Sequence, residues 1–202
     1  MKKERFTQKQ IRILRNEAEE QNEKIRGARF WRNLDFLLYL CVVVLVAFGI
    51  RAFLFEPIRV IGESMTPTLL HGEHMFVEKV SYWLHAPERG DIIICFYPGY
   101  TESCVKRVIG LPGETIEVRE GKVYINDTLL DEADYWRDTI FSDYPKSAVP
   151  EDSVFVMGDN RNGSKDSRNS AVGAIPYTEI VGKVQAVIWP FDQMELVKKV
   201  NY

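Results

Sequence analysis

Residues 36–50 read FLLYLCVVVLVAFGI, a run without a charged side chain, and Ala52-Phe53-Leu54-Phe55 extend it past Arg51 to 20 residues. An α-helix of about 20 residues spans roughly 30 Å, the thickness of the hydrocarbon core of a bilayer. Arg51 lies near the end of the run, where a long side chain can reach the headgroups. The run therefore predicts a transmembrane helix over residues 34–55, the alternative being the buried core helix of a soluble domain.

The segment before the apolar run is basic. Residues 1–33 carry ten Lys and Arg, whereas Arg51 and Arg59 are the two that lie between residues 51 and 70. Because Lys and Arg beside a span favour the cytoplasmic side, we expect a cytoplasmic basic arm (1–33), a single pass and an extracytoplasmic domain (56–202). The arm is too long for the first part of a cleaved signal peptide, and no small-x-small site follows the run.

Residues 56–202 change to short strand patterns without sustained helical periodicity. Apolar or alternating runs typical of strands occur at 91–97, 115–119, 122–125, 154–157 and 181–189. Glu120-Gly121 predicts a two-residue hairpin turn. Residues 126–150 are polar and rich in turn residues, and we interpret them as an excursion from the sheet. The sequence predicts a mainly β fold, an antiparallel β-sheet domain on a single N-terminal transmembrane helix.

Charge and cysteine usage limit the expected partners. Residues 56–202 contain 15 Lys and Arg against 23 Asp and Glu, a net charge of −8. A nucleic-acid-binding domain needs a basic surface, so we expect no nucleic acid as partner. Cys41 lies in the apolar run as a small apolar residue. Cys95 and Cys104 flank a predicted hairpin outside the membrane, where a disulfide is permitted but not required.

The first of three stretches suited to chemistry is Gly62-Glu63-Ser64-Met65-Thr66-Pro67. Gly62 permits a close backbone approach, and Pro67 stiffens the turn and biases the residue before it away from helix. Ser64 is therefore a candidate nucleophile, the alternative being an ordinary serine in a proline turn. It follows Phe55 by nine positions, which an extended chain covers in at most roughly 30 Å, so its hydroxyl is held near the headgroups.

The second stretch is Cys104-Val105-Lys106-Arg107-Val108, which places two cations inside an apolar strand. Strand alternation sends Lys106 and Arg107 to opposite faces, so we expect one of them to point inward. Burial disfavours the charged form of a lysine, and a neutral amine can take the proton of a serine hydroxyl. Lys106 is a candidate general base, unless it is an edge residue whose amine reaches solvent.

The third stretch, VMGDNRNGSKDSR at residues 156–168, is a strand that runs into a loop dense in hydrogen-bonding groups. A calcium loop is excluded, because the glycine is the fifth residue counted from Asp159 rather than the sixth and Ser170 replaces the final glutamate. His71 and His74 have neither an orienting carboxylate nor a second ligand cluster nearby. We therefore expect no catalytic triad, no metal and no cofactor; the alternative for the loop is a polar surface loop.

Taken in order, these stretches resemble type I signal peptidases. The resemblance rests on a membrane anchor followed by Gly-x-Ser-Met-x-Pro-Thr-Leu, Arg-Gly-Asp-Ile, Lys-Arg-Val-Ile-Gly-Leu-Pro-Gly and Gly-Asp-Asn-Arg-x-x-Ser-x-Asp-Ser-Arg. The boxes follow the family's order over residues 34–190. The short excursion at 126–150 is similar to the compact Gram-positive type. The resemblance implies a membrane-anchored serine endopeptidase that removes signal peptides from exported preproteins with a Ser-Lys dyad.

The resemblance also implies roles for individual residues. Ser64 would be the nucleophile, Lys106 the general base and Ser164 the hydroxyl that orients Lys106. Two ion pairs would brace the loop: Arg107 with Asp159, and Arg168 with Asp166. Shallow substrate pockets would be lined by Val60, Met65, Leu69 and Val105. Gly62 stands where some members have a serine that donates to the oxyanion, which leaves the Ser64 backbone N–H as donor.

The implied partners are the lipid bilayer and preprotein signal peptides with small residues at positions −1 and −3. The implied location is the bacterial cell membrane, with the N-terminus cytoplasmic. Two rival interpretations remain. A self-cleaving repressor with the same dyad is opposed by the anchor and the acidic domain. A catalytically inactive membrane-anchored paralogue, acting as a binding or assembly factor, is opposed by the complete dyad and loop.

Overall fold

The computed structural model describes residues 8–53 and 55–198, together with Val200 and Tyr202. Residues 1–7 of the predicted arm, and Leu54 of the predicted span, lie outside the described residues. The chain divides into two compact units, Met1–Ile50 and Arg51–Tyr202. The first contains the basic and apolar segments of the sequence, and the second contains the three stretches suited to chemistry.

The first unit is helical. Helix α1 covers Gln8–Phe53, 46 residues. Within the described part of the chain, one stretch, Trp31–Ile50, is long and apolar enough to cross a membrane, and none of it is buried. That exposure disagrees with the alternative of a core helix. The helix ends before Phe55, which begins a strand, because Pro57 lacks an N–H and disfavours helix in the residue before it.

The second unit is built from short strands. In chain order they are β1 Phe55–Arg59, β2 His74–Glu78, β3 Ile92–Phe96, β4 Ser103–Gly110, β5 Thr115–Arg119, β6 Lys122–Ile125, β7 Thr128–Leu129, β8 Tyr144–Ala148, β9 Ser153–Met157, β10 Ile175–Pro176, β11 Ile180–Trp189 and β12 Glu195–Leu196. A four-residue helix, α2, covers Ser81–Leu84, and short 3-10 helices cover Tyr177–Glu179 and Phe191–Gln193.

The strands that the structure describes pair antiparallel in two sheets. The larger sheet has the order β1-β2-β11-β3-β4-β9-β10, with β12 pairing to β11, and the smaller has the order β7-β6-β5-β8. Strand β11, which comes late in the chain, lies between β2 and β3. The predicted mainly β fold is confirmed.

The predicted strands all appear, each within one residue of its predicted bounds. Glu120 and Gly121 have φ values of 51° and 73°, as a two-residue hairpin turn requires. Strands β1 and β2 are not among those the pattern predicts. The alternating burial along His74–Glu78 is the pattern of a strand with one face on the core.

The prediction that residues 126–150 are an excursion from the sheet is wrong in part. Strands β7 and β8 lie in this segment, and β8 pairs with β5. Tyr135 and Ile140 from the same segment are buried. Strand β8 reads YPKSA, and its proline and polar residues do not match a strand pattern. The sheet tolerates these residues because β8 lies at its edge.

Apolar clusters cover both faces of the larger sheet at its centre. Strand β3 sends Ile92 and Ile94 into one cluster and Ile93 and Cys95 into another. Strand β4 follows the same alternation, with Val105 against the first cluster and Val108 in the second. From Lys106 onward, a side chain on either face of β4 is therefore shielded from water, whereas Cys104 and Val105 are half-buried.

Gly182 of β11 faces the backbone of β2 without room for a side chain. A Cβ atom there would lie 2.5 Å from the carbonyl oxygen of Glu78. We expect Gly182→Ala to lower the free energy of unfolding of the second unit by about 1–3 kcal/mol, measured by urea denaturation followed by near-UV circular dichroism. Gly27→Ala adds the same methyl group where nothing lies within 4 Å, and it should leave this transition unchanged. Equal effects of the two variants would contradict the clash.

Candidate active site

Ser64 and Lys106 meet in the second unit. Ser64 lies in the turn between β1 and β2 and is partly exposed, whereas Lys106 is buried on β4. The Nζ atom of Lys106 lies 2.8 Å from Ser64 Oγ and donates a 2.8 Å hydrogen bond to the carbonyl oxygen of Val105. A buried amine in hydrogen-bond contact with a hydroxyl is placed to take its proton.

Lys106 and Arg107 both point into the protein, although the alternation of side chains along a strand predicts that one of the two points inward. Lys106 is 3% exposed and Arg107 is 1% exposed. They lie on opposite faces of a strand flanked by β3 and β9, and both faces of this part of the sheet are covered. Each cation must therefore find polar partners inside the protein.

Arg107 is held by Asp159, as the resemblance implies. Its Nε and Nη2 atoms donate to the two carboxylate oxygens of Asp159 at 2.8 and 2.6 Å, and Nη1 donates to the Gly90 carbonyl at 2.9 Å. Burial lowers the pKa of Arg107, but the hydrogen bond and charge of Asp159 outweigh it, so the net pKa shift is upward. The bidentate pair fixes the start of the 158–168 loop against the strand that carries Lys106.

The second predicted pair closes the loop on itself. Asp166 is buried and accepts two hydrogen bonds of 2.8 Å from the Arg168 guanidinium and one of 3.3 Å from the Arg168 backbone N–H. Asp166 also accepts from the backbone N–H of Gly158 at 3.0 Å, and Arg168 donates to the Arg161 carbonyl at 2.6 Å. The loop is thereby tied to the end of β9, where its path past Ser64 begins.

Gly158 separates Ser64 from Ser164. A Cβ atom at Gly158 would collide with both the Ser164 hydroxyl and the Ser64 carbonyl oxygen, so no side chain fits between them. The Ser164 Oγ atom is buried and finds no hydrogen-bond partner among the described residues. The predicted hydrogen bond from Ser164 to Lys106 is thus not formed in this structure, and the orienting role of Ser164 stays a prediction.

Asn160 holds the backbone on both sides of the candidate nucleophile, a role the sequence does not suggest. Its N–H donates to the Ser64 carbonyl at 3.0 Å, and its side-chain amide donates to the Glu63 carbonyl at 3.2 Å. The amide oxygen accepts from Gly163 N–H at 3.0 Å, which fixes the amide orientation. Asn160 belongs to the quoted loop but lies 97 positions from Glu63. No local pattern pairs the two.

The predicted pocket residues come together in one apolar cluster. Val60, Met65 and Leu69 are buried members of it, and Val105 packs against it half-buried. Leu69 is 0% exposed and Met65 is 1% exposed, so Val105 offers more surface to a bound peptide than either. The pocket itself stays a prediction.

His71 and Glu73 brace the turn that carries Ser64. His71 Nδ1 accepts a 3.0 Å hydrogen bond from the Gly62 N–H, and the Glu73 carboxylate accepts from the Leu70 N–H at 2.8 Å. The Gly62 N–H is therefore engaged and is not offered to a substrate. In the described ranges, no group of three or more His, Cys, Asp and Glu side chains is placed to hold a metal ion.

A second buried arginine, Arg161, lies near Arg107. Arg161 forms a 2.5 Å ion pair with Glu132, and the Tyr135 ring lies 4.3 Å from the Arg107 guanidinium carbon and 5.5 Å from that of Arg161. Burial raises the pKa of Tyr135, so the phenol stays neutral. Glu132 and Tyr135 belong to the segment interpreted as an excursion. The contacts of Glu132 and Tyr135 with the buried arginines were therefore not predicted from the sequence.

The family model and the sequence relatives of this chain agree with one another. The family model of signal peptidase, peptidase S26, matches residues 33–189, which include all three chemical stretches. A signal peptidase I P from Bacillus subtilis subsp. natto is 35% identical over 175 residues, covering 82% of this chain and 94% of the relative. A signal peptidase I from Leptolyngbya laminosa is 40% identical over 160 residues, covering 75% and 77%. A solved signal peptidase I from Enterococcus faecalis aligns with a TM-score of 0.43 and 35% identity over 49% of this chain and 97% of that chain.

Asp159→Ala leaves the Arg107 guanidinium buried without its carboxylate. We expect the free energy of unfolding to fall by about 3–5 kcal/mol in urea denaturation, because an unpaired buried charge is strongly destabilising. Adding Arg107→Met should recover part of this loss. Lys146→Ala removes the exposed pair with Asp127 and serves as the matched control, which should leave the transition unchanged. A loss in Asp159→Ala no larger than in this control would contradict the buried pair.

Proposed function

This chain belongs to the signal peptidase family, peptidase S26, and we propose that Ser64 and Lys106 form the dyad with which it cleaves its substrates. The chain is a serine peptidase that removes signal peptides from preproteins. The observation that carries the dyad is the 2.8 Å contact between the buried Lys106 amine and the Ser64 hydroxyl. An amine in hydrogen-bond contact with a serine hydroxyl is placed to act as its general base.

In the proposed reaction, Ser64 Oγ attacks the scissile carbonyl carbon while its proton passes to Lys106 Nζ. The tetrahedral intermediate collapses as Lys106 returns that proton to the leaving amine, and the mature protein departs. Lys106 then takes a proton from a water molecule as that water attacks the acyl-enzyme. The ester bond breaks as Lys106 passes the proton to Ser64 Oγ, which releases the signal peptide and restores the free serine and amine. The contact supports this sequence because it places the Lys106 amine against Ser64 Oγ, the oxygen that loses its proton in the first step and regains one in the last.

The oxyanion of the tetrahedral intermediate would be bound by the Ser64 backbone N–H. Gly62 has no side-chain donor, and its own N–H donates to His71. An oxyanion hole with few hydrogen-bond donors depends on the placement of each donor. In enzymes that rely on such a donor, it stabilises the transition state by about 2.7–4 kcal/mol. The backbone bonds from Asn160 to Glu63 and Ser64 supply that placement in this proposal.

Substrate selection would depend on the size of two side chains in a peptide that binds in an extended conformation. In an extended chain the residues at −1 and −3 point the same way, so one concave surface can test both for small side chains. We assign that surface to Val60, Met65, Leu69 and Val105, of which Val105 offers the most area. Ser164 would complete the site by hydrogen bonding to Lys106 once substrate is bound.

Exposed apolar residues of the second unit support contact with a bilayer. Trp83 and Leu84 are 65% and 72% exposed, so neither side chain faces the core. The hydroxyl of the neighbouring Tyr82 donates to Asp91. Large exposed residues recur near β12: Trp189, Phe191, Met194 and Leu196. Tryptophan and other large apolar residues suit the membrane–water interface. We propose a cell-membrane enzyme with α1 as its single anchor, the N-terminus cytoplasmic and the second unit outside.

The dyad is tested by cleavage of a preprotein with an Ala-x-Ala site in detergent micelles. Ser64→Ala and Lys106→Met should each lower the rate by about 10²–10⁴-fold or more, with circular dichroism unchanged. Lys165→Ala removes an exposed lysine of the loop and should cleave like wild type. Undiminished cleavage by Ser64→Ala or Lys106→Met removes that residue from the mechanism. No cleavage by wild type would favour the inactive paralogue.

Asn160→Ala tests the positioning of the nucleophile. It removes the side-chain bond to the Glu63 carbonyl, and we expect kcat to fall roughly tenfold with KM nearly unchanged, the equivalent of one lost hydrogen bond. Asn160→Asp keeps the acceptor for Gly163 but not the donor, so it should be as slow.

The matched control for this test is Asn162→Ala. Asn162 is an asparagine of the same loop whose amide bonds to Phe141 and Thr139, away from Ser64. It should retain most of the wild-type kcat. Full activity in Asn160→Asp would mean that Asn160 acts through the loop turn alone.

A further inference from the structure

Two cysteines face each other on the strands at the centre of the larger sheet. Cys95 of β3 and Cys104 of β4 are partners in the strand register, and their sulfur atoms lie 3.6 Å apart. Cys104 precedes Lys106 by two positions and so shares its face of β4. Cys95 is fully buried, whereas Cys104 is partly exposed. Neither thiol has a part in the proposed peptidase mechanism.

We propose that Cys95 and Cys104 form a thiol–disulfide site whose reactant is an external disulfide. The inference rests on the proposed function in one respect, since the proposed orientation places the second unit on the oxidising side of the membrane. The chemistry of the pair depends on the local geometry alone.

The strand geometry permits the bond. Residues directly opposite on antiparallel strands have Cβ atoms about 4.5–5.5 Å apart, and a disulfide spans Cβ separations of about 3.5–4.5 Å, so the two ranges meet. The sulfur atoms must approach from 3.6 Å to about 2.05 Å. Rotation of the partly exposed Cys104 side chain and a small approach of β3 and β4 supply that movement.

Burial assigns different roles to the two thiols. An external disulfide can reach Cys104 but not Cys95, so Cys104 is the attacking thiol and Cys95 resolves. The hydrogen bond between the two sulfur atoms lowers the pKa of Cys104 to about 7. The same hydrogen bond and burial raise the pKa of Cys95. The accessible thiol is thus the one that more readily forms the reactive thiolate.

The reaction balances as two successive exchanges. The Cys104 thiolate attacks one sulfur of the external disulfide, which breaks the external S–S bond and releases one thiolate. The Cys95 thiol then loses its proton and attacks Cys104 Sγ, which closes the cross-strand bond and releases the second thiolate. Two electrons and two protons pass to the external disulfide, which leaves as two thiols.

The test uses the full chain in detergent micelles, carrying Cys41→Ser so that the remaining thiols are the pair. The reduced protein is treated with glutathione disulfide, and its free thiols are then counted by alkylation with a maleimide after denaturation. We expect both to be lost, the mass to fall by two hydrogen atoms, and a peptide linking Cys95 to Cys104 to appear in a non-reducing digest. Two alkylated thiols in the treated protein would overturn the proposal.

Single variants test the roles. Cys95→Ser leaves the attacking thiol without its resolving partner, so it should retain one glutathione as a stable mixed disulfide. Cys104→Ser should remain unmodified while folded, because Cys95 is buried. Equal modification of the two variants, or modification of Cys104→Ser alone, would overturn the assignment. Circular dichroism checks that each variant is folded.

The thiol readouts are independent of peptide cleavage. The same measurements on Ser64→Ala should give the same thiol counts and the same linked peptide. Loss of cleavage with the cross-link intact contradicts the proposed function alone, and cleavage without the cross-link contradicts this inference alone.

Discussion

Two basic side chains at adjacent positions of β4, both removed from water, constrain the rest of the second unit. A buried charge is costly unless it is paired, and Arg107 is paired by a carboxylate, a carbonyl and an aromatic ring. Among the described residues, Lys106 pairs with no carboxylate and donates to the Ser64 hydroxyl and the Val105 carbonyl instead. The same strand thus pairs one basic side chain with an anion and places the other against the candidate nucleophile.

The loop after β9 connects these two environments. Asp159 reaches Arg107 on one face of β4, and Asn160, the next residue, holds the carbonyl groups around Ser64. Consecutive residues therefore couple the ion pair to the candidate nucleophile through backbone geometry rather than through a long chain of contacts. Gly158 allows the loop to pass close to Ser64 because it has no side chain to accommodate.

The sequence predicts what local patterns encode. The apolar run, the alternating strands and the Glu120-Gly121 turn depend on neighbours a few positions away, and they appear as expected. Ser64 and Lys106 were singled out because the sequence boxes that contain them are distinctive, and the structure brings the two side chains into contact. The roles of Asn160, Glu132 and Tyr135 depend on contacts made only after folding, such as the bond across 97 positions from Asn160 to Glu63. The edge strand β8 was missed because an edge tolerates a proline and polar residues.

The place of β11 has a consequence for synthesis. Strands β2 and β3 are close in sequence, yet they lie on either side of β11, which ends at residue 189. A nascent chain that lacks β11 cannot join the turn carrying Ser64 to the strand carrying Lys106 through a continuous sheet. The sheet that connects the Ser64 turn to the Lys106 strand is therefore incomplete until residue 189 has been synthesised.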